Sequence, residues 1–177
     1  VYKKLAKPQT NAFSPIHQIH NNLTPLHLGF EIWIKADSTL SKYQNKALIV
    51  NTNRSSQGGY FENGYVKAKP RNFGSFFIAI DTLAPTIVPV NISNGKNMAG
   101  LSKMSFRISD NLSGIKSFNG YIDGKWVLME FDAKTASLWH NFDDQTKAGK
   151  HSFELVVVDM KDNKSNVVTT PTIVLNF

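Results

Sequence analysis

Cysteine is absent from all 177 residues, which excludes disulfides, thiol chemistry and Cys-ligated zinc. Acidic side chains are scarce, 13 against 20 Lys and Arg, for a net charge of +7. No apolar run reaches the ~20 residues that a bilayer-crossing helix needs, so no membrane span is expected. Neither a G-x-S-x-G elbow nor a phosphate-cradling G-x-x-x-x-G-K-[ST] occurs, and neither G-x-G-x-x-G nor H-E-x-x-H is present. The usual signatures of serine hydrolases, nucleotide-binding enzymes and zincins are thereby missing. Only 19% of residues are charged, too few for a disordered chain or a long coiled coil. The chain opens at Val1 with no charged-then-apolar leader, so localisation has to be inferred from elsewhere.

What is present is core material: 41% hydrophobic and 11% aromatic residues. The charge is unevenly spread. Residues 1–85 hold 10 basic and 4 acidic side chains, whereas 86–177 hold 10 and 9. The basic residues of the first half, among them Lys3, Lys4, Lys7, Lys42, Lys46, Lys67, Lys69 and Arg71, are scattered over several expected strands and loops. Dedicated polyanion binders cluster such charge on one stripe, so a solvated basic surface is expected and nucleic acid is not a partner.

The expected fold is all-β, with two tandem β-sandwich domains, the second immunoglobulin- or fibronectin-III-like with about seven strands. The boundary is read at Asp81-Thr82-Leu83-Ala84-Pro85, where one apolar stretch ends and another begins. Pro85 forces Ala84 into extended backbone, giving a short link over 82–85 between domains 1–81 and 86–177. In the second half, Met104, Phe106 and Ile108 alternate on one face of 102–109, and Phe153, Leu155 and Val157 do the same on 151–158. Asp123-Gly124 between 115–122 and 125–131 predicts a type I′ hairpin, since both central residues must take positive φ. Further strands are expected at 137–142 and 166–177. In the first half, strands are expected at 30–35, 47–50, 65–69 and 76–80, with a Ser-capped helical turn over 38–43. Residues 1–26 read as a lead-in segment holding at most one strand, near 16–19.

Candidate chemistry is sparse. His17 and His20 would face opposite sides of a strand and cannot chelate one ion together. Asp110 and Asn111, with Asp159, Asp162 and Asn163, fall in two loops that an immunoglobulin-like topology brings to one end. Their oxygens are a candidate Ca²⁺ set, against the plainer reading that Asp and Asn are turn formers. No cofactor is expected. Tyr121, Trp126 and Trp139 are a candidate ligand or interface surface, because in 125–131 both alternating sets are apolar: Trp126 and Leu128 on one side, Val127, Met129 and Phe131 on the other. A sugar stacking on an exposed ring is one possible cover for the second set, an interface another.

The run Gly74-Ser75-Phe76-Phe77-Ile78-Ala79-Ile80-Asp81-Thr82-Leu83-Ala84-Pro85-Thr86-Ile87 resembles the junction in Bacteroidetes cell-envelope proteins that carry a lysostaphin-type zinc metallopeptidase domain. The segments Asp110-Asn111-Leu112-Ser113-Gly114-Ile115, Tyr121-Ile122-Asp123-Gly124-Lys125-Trp126, Gly149-Lys150-His151 and Val158-Asp159 extend the likeness. It covers the C-terminal β-sandwich accessory region of those proteins. The peptidase itself holds zinc through a His-x-x-x-Asp segment with a later His-x-His, and that pair is not found here. No catalytic residue carries over, and the chain is not expected to be an enzyme. The resemblance implies a non-catalytic spacer or positioning module of a cell-wall-directed peptidase, in the periplasm or cell envelope. Its expected partners are an upstream peptidase domain, peptidoglycan or another glycan, with the chain itself a monomer. A glycan-binding module and an adhesion or protein-assembly module are the alternatives.

Overall fold

The computed structural model describes residues 1–8, 11–143, 146 and 148–173. The chain is all-β and divides into two compact units, Val1–Thr82 and Leu83–Phe177. No helix among the described residues is long and apolar enough to cross a membrane.

The first unit contains β1 (Tyr2–Leu5), β2 (Ile16–Ile19), β3 (Ile32–Lys35), β4 (Ala47–Asn51), β5 (Tyr60–Glu62), β6 (Tyr65–Ala68) and β7 (Gly74–Ile80). These form an antiparallel sheet of order β1-β2-β7-β4 and a second of order β3-β6-β5. Alternation decides which face each strand buries. Ile32 and Ile34 point inward from β3, and Val66 and Ala68 from β6, while Trp33 and Lys67 point outward. The inward residues meet Ala47, Ile49, Phe76 and Ile78 of the other sheet in one core. Residues Leu48, Val50, Phe77 and Ala79 are buried as well, so β4 and β7 are covered on both faces. Their continuous apolar runs already point to that. The buried Ser14 hydroxyl accepts the N–H of Ile78 at 3.0 Å, and Phe13 N–H donates to the Ile78 carbonyl at 2.8 Å.

Three expectations change here. Residues 1–26 hold two strands, not one, because Tyr2-Lys3-Lys4-Leu5 pairs along β2 although all four side chains remain exposed. Strand β5, Tyr60–Glu62, adds to the strands expected at 30–35, 47–50, 65–69 and 76–80. The helical turn at Ser38–Lys42 is 3₁₀, followed by another at Gln44–Lys46, and its cap residue is Asp37 with no side-chain capping bond.

The second unit contains β8 (Thr86–Pro89), β9 (Lys103–Ser109), β10 (Ile115–Ile122), β11 (Lys125–Val127), β12 (Glu130–Asp132), β13 (Ser137–Asn141), β14 (Gly149–Lys150), β15 (Phe153–Asp159), β16 (Lys164–Thr169) and β17 (Thr172–Ile173). One sheet has the order β12-β13-β9-β8 and the other β11-β10-β15-β16, with β14 and β17 paired separately. In immunoglobulin terms these are the D-E-B-A and C′-C-F-G sheets, so the fold is the expected sandwich with β11 added as C′. Its core interleaves Met104, Phe106 and Ile108 with Phe153, Leu155 and Val157, and the Phe106 and Phe153 rings stack at 5.3 Å. Asp123 and Gly124 take φ of 48° and 75°, as the hairpin requires.

The stretch 125–131 is not one strand. It leaves the β11-β10-β15-β16 sheet after Val127 and joins the β12-β13-β9-β8 sheet at Glu130, crossing the sandwich edge at Leu128 and Met129. That crossing explains its two apolar faces: Met129 turns into the core, whereas Trp126 and Leu128 stay exposed. Of the closing strand expected at 166–177, β16 and β17 are described, and residues 174–177 lie outside the described set.

Candidate functional site

The crossing at Leu128 opens a cavity of about 560 Å³ in the second unit. Its wall runs from the β10–β11 hairpin through Leu128 to β13 and the residues before β15. The volume falls in the range of small-molecule sites. Trp126 stands at the rim, 59% exposed, and its indole N–H donates to Asn119 Oδ1 at 3.2 Å, which fixes the ring. Leu128 beside it is 63% exposed.

His140 lies deeper and is only 4% exposed. Its Nδ1 is 2.8 Å from the Leu128 carbonyl. A carbonyl only accepts, so Nδ1 carries a proton, and in the neutral form of the ring Nε2 is the acceptor. That nitrogen is buried and has no hydrogen-bond partner among the described residues. At the other side His151 Nδ1 sits 2.7 Å from Asp123 Oδ2, and Asp123 Oδ1 accepts the N–H of Ser152 at 2.9 Å. These bonds, that of His151 first, hold the Asp123 carboxyl below its ordinary range. The site thus offers a flat apolar ring, an aliphatic neighbour, an acceptor nitrogen and a carboxylate. Such a set suits a polyhydroxylated ligand with one apolar face.

The other sequence candidates fall in different places. Tyr121 is half-buried and pairs with Trp126 across the hairpin. Trp139 belongs to β13 in the opposite sheet, with the Lys103 ammonium 4.9 Å over its ring, so the three rings do not form one platform. Asp110 and Asp159 do converge, offering carboxylate oxygens within 4.8 Å of each other. Much of their capacity is spent on turns. Asp110 Oδ2 accepts from Leu112 and Gly114 N–H, and Asp159 accepts from Lys161 N–H, Asn163 N–H and the Asn163 side chain. Asp162 bonds Lys116 at 2.5 Å, and Asn111 is exposed. Of the histidines, His17 Nδ1 lies 2.8 Å from the Tyr2 hydroxyl and His20 Nδ1 3.2 Å from Thr24. Burial, helped by Lys4, lowers the His17 pKa. A His-x-x-x-Asp spacing does run from His140 to Asp144, without a following His-x-His; Asp144 lies outside the described residues.

One surface escaped the sequence reading. On the outward face of β3, β6 and β5, Trp33, Lys67 and Tyr60 form a single cross-strand row, with Trp33 57% and Tyr60 58% exposed. The signal was the dipeptide Asn63-Gly64, both at positive φ, which marks the β5–β6 hairpin as Asp123-Gly124 marks the other.

Residues 2–81 match the family described as Zu5-like domain. That match spans the first unit and says nothing of a peptidase. Among solved structures, the chain is similar to the fibronectin(III)-like modules of Clostridium thermocellum CbhA, with 13% identity, a TM-score of 0.40, and 82% of this chain and 86% of that one covered. It is also similar to a Corynebacterium diphtheriae protein described as membrane anchored, with 10% identity, a TM-score of 0.33, and 99% and 53% covered. At these values neither likeness speaks to function. No curated protein matches.

Proposed function

We propose that this chain is a non-catalytic accessory module whose second unit binds a cell-wall glycan and so holds an associated enzyme at its substrate. The observation that carries the reading is the cavity with the exposed Trp126 at its rim and His140 in its wall, whose Nε2 has no partner among the described residues. An aromatic face takes the C–H side of a sugar ring, while a buried acceptor rewards a hydroxyl or amide donor placed against it. The enzyme, on the strength of the sequence resemblance, is a lysostaphin-type metallopeptidase acting outside the cytoplasm. In that setting the module works as a spacer or positioning domain.

Calorimetric titration of the intact chain with soluble peptidoglycan fragments tests this reading. Binding is expected, and Trp126→Ala should weaken it by about tenfold, the loss of roughly 1.4 kcal/mol. His140→Phe, which keeps the ring volume but removes the acceptor, should weaken it too. Absence of binding, or binding indifferent to both substitutions, refutes it. Zinc-dependent hydrolysis of the fragments by the chain alone would refute the non-catalytic part.

A further inference from the structure

We propose that the outward face of β3, β6 and β5 in the first unit is a separate binding surface for a neutral, β-linked oligosaccharide. Every outward position of the three strands is aromatic or charged: Trp33, Lys35, Tyr60, Glu62, Tyr65 and Lys67. Protein interface cores are depleted in Lys and Glu, so rings alternating with these charges are a poor match to a protein partner. The charges are also nearly balanced and locally paired. Lys67 is ion-paired with Glu62, and Lys69 with Glu31 at 3.1 Å. A polyanion would find little uncompensated positive field here. Flat apolar rings separated by donors and acceptors are the chemistry of a pyranose chain, whose ring faces are C–H-rich and whose rims carry hydroxyls.

Geometry sets the length of the ligand. Trp33 and Tyr60 share one row with Lys67 between them, so they stand two strand spacings apart, about 10 Å. That span fits two linked pyranose rings. The Lys67 ammonium rests over the Trp33 ring, 3.8 Å from its centroid, and so covers one face of it, while the ring as a whole stays 57% exposed. A hollow of about 340 Å³ lies over this row, lined also by Glu31, Lys69 and Gly59. Gly59 cannot be replaced without closing the packing there, since a Cβ would fall 2.6 Å from the Lys67 carbonyl oxygen. The surface does not depend on the cavity of the second unit.

The test is calorimetric titration of the intact chain with cellohexaose, chitohexaose and xylohexaose. At least one should bind, Trp33→Ala and Tyr60→Ala should each weaken it by about tenfold, and Trp126→Ala should leave it unchanged. Trp33→Phe, which keeps an aromatic face, should retain most of the affinity. If Trp33→Ala does not fold, amide shift changes on the wild-type chain decide, and they should centre on β3, β5 and β6. Failure of all three sugars to bind overturns the proposal. So does affinity untouched by losing both rings, affinity abolished by Trp126→Ala, or shift changes confined to the second unit.

Discussion

His151 Nδ1 lies 2.7 Å from Asp123 Oδ2, so the tip of the β10–β11 hairpin is tied to the short link between β14 and β15. The same carboxylate takes the Ser152 N–H with its other oxygen. One aspartate therefore shapes its own turn and anchors it to the neighbouring strand, on the wall of the cavity.

Because these bonds favour the ionised form, the Asp123 pKa is depressed in the folded chain. The unfolded chain takes up the proton first on acidification. Its stabilisation is thus complete above the ordinary carboxylate range and is lost as pH falls through the depressed value. Asp123→Asn tolerates the positive φ but removes the charge. It should cost no more than about 1 kcal/mol at neutral pH, since the Asp123 carboxylate is exposed. Urea titrations of the two proteins below about pH 4 should converge.

His17 behaves in the opposite structural sense but with the same sign. Burial and Lys4, its partner across the β1–β2 ladder, lower its folded pKa. Between that value and about 6.5 the unfolded chain binds a proton that the folded chain refuses, so stability falls as pH drops through this window. His17→Phe should flatten that dependence in chemical denaturation. The imidazole proton resonances of His17 should titrate below 6.5, and Lys4→Gln should move the midpoint upward.

How much of this was legible depended on the range of the interaction. The β9 and β15 alternations are local, and both strands bury the residues the pattern named. The Asp123-Gly124 turn is also local. Strand β1 carries no such signal: Tyr2, Lys3, Lys4 and Leu5 are all exposed, and only the ladder to β2 makes them a strand. The two-faced stretch around Trp126 was visible as an anomaly, but its cause, a change of sheet at Leu128, is a tertiary fact. The row Trp33–Lys67–Tyr60 joins residues far apart in sequence through register alone. The lone pair of His140 depends on a carbonyl twelve residues away.

Gly120 is constrained by packing and not by φ. A Cβ there would lie 2.6 Å from Met129 Sδ and 3.3 Å from Phe153 Cε2. Gly120→Ala should destabilise the second unit by about 1–3 kcal/mol, the methionine yielding part of the space. In a Met129→Ala background the same change should cost less, a coupling that a double-mutant cycle of thermal unfolding would show.

The Ser14 hydroxyl accepts the buried Ile78 N–H at 3.0 Å. Ser14→Ala should leave that donor without a partner and cost about 1–3 kcal/mol. Hydrogen exchange should localise the effect, with the Ile78 amide losing protection ahead of its β7 neighbours.

Strand β1 ends the order β1-β2-β7-β4, so one row of its backbone groups is open to solvent. An open row of this kind is a template for edge-to-edge growth between molecules. Lys3 and Lys4 sit in the middle of it, both exposed. A second chain docking there in antiparallel fashion would bring ammonium groups against ammonium groups in a desolvating contact. The pair of lysines gives this sheet colloidal protection, which the sandwich core cannot supply.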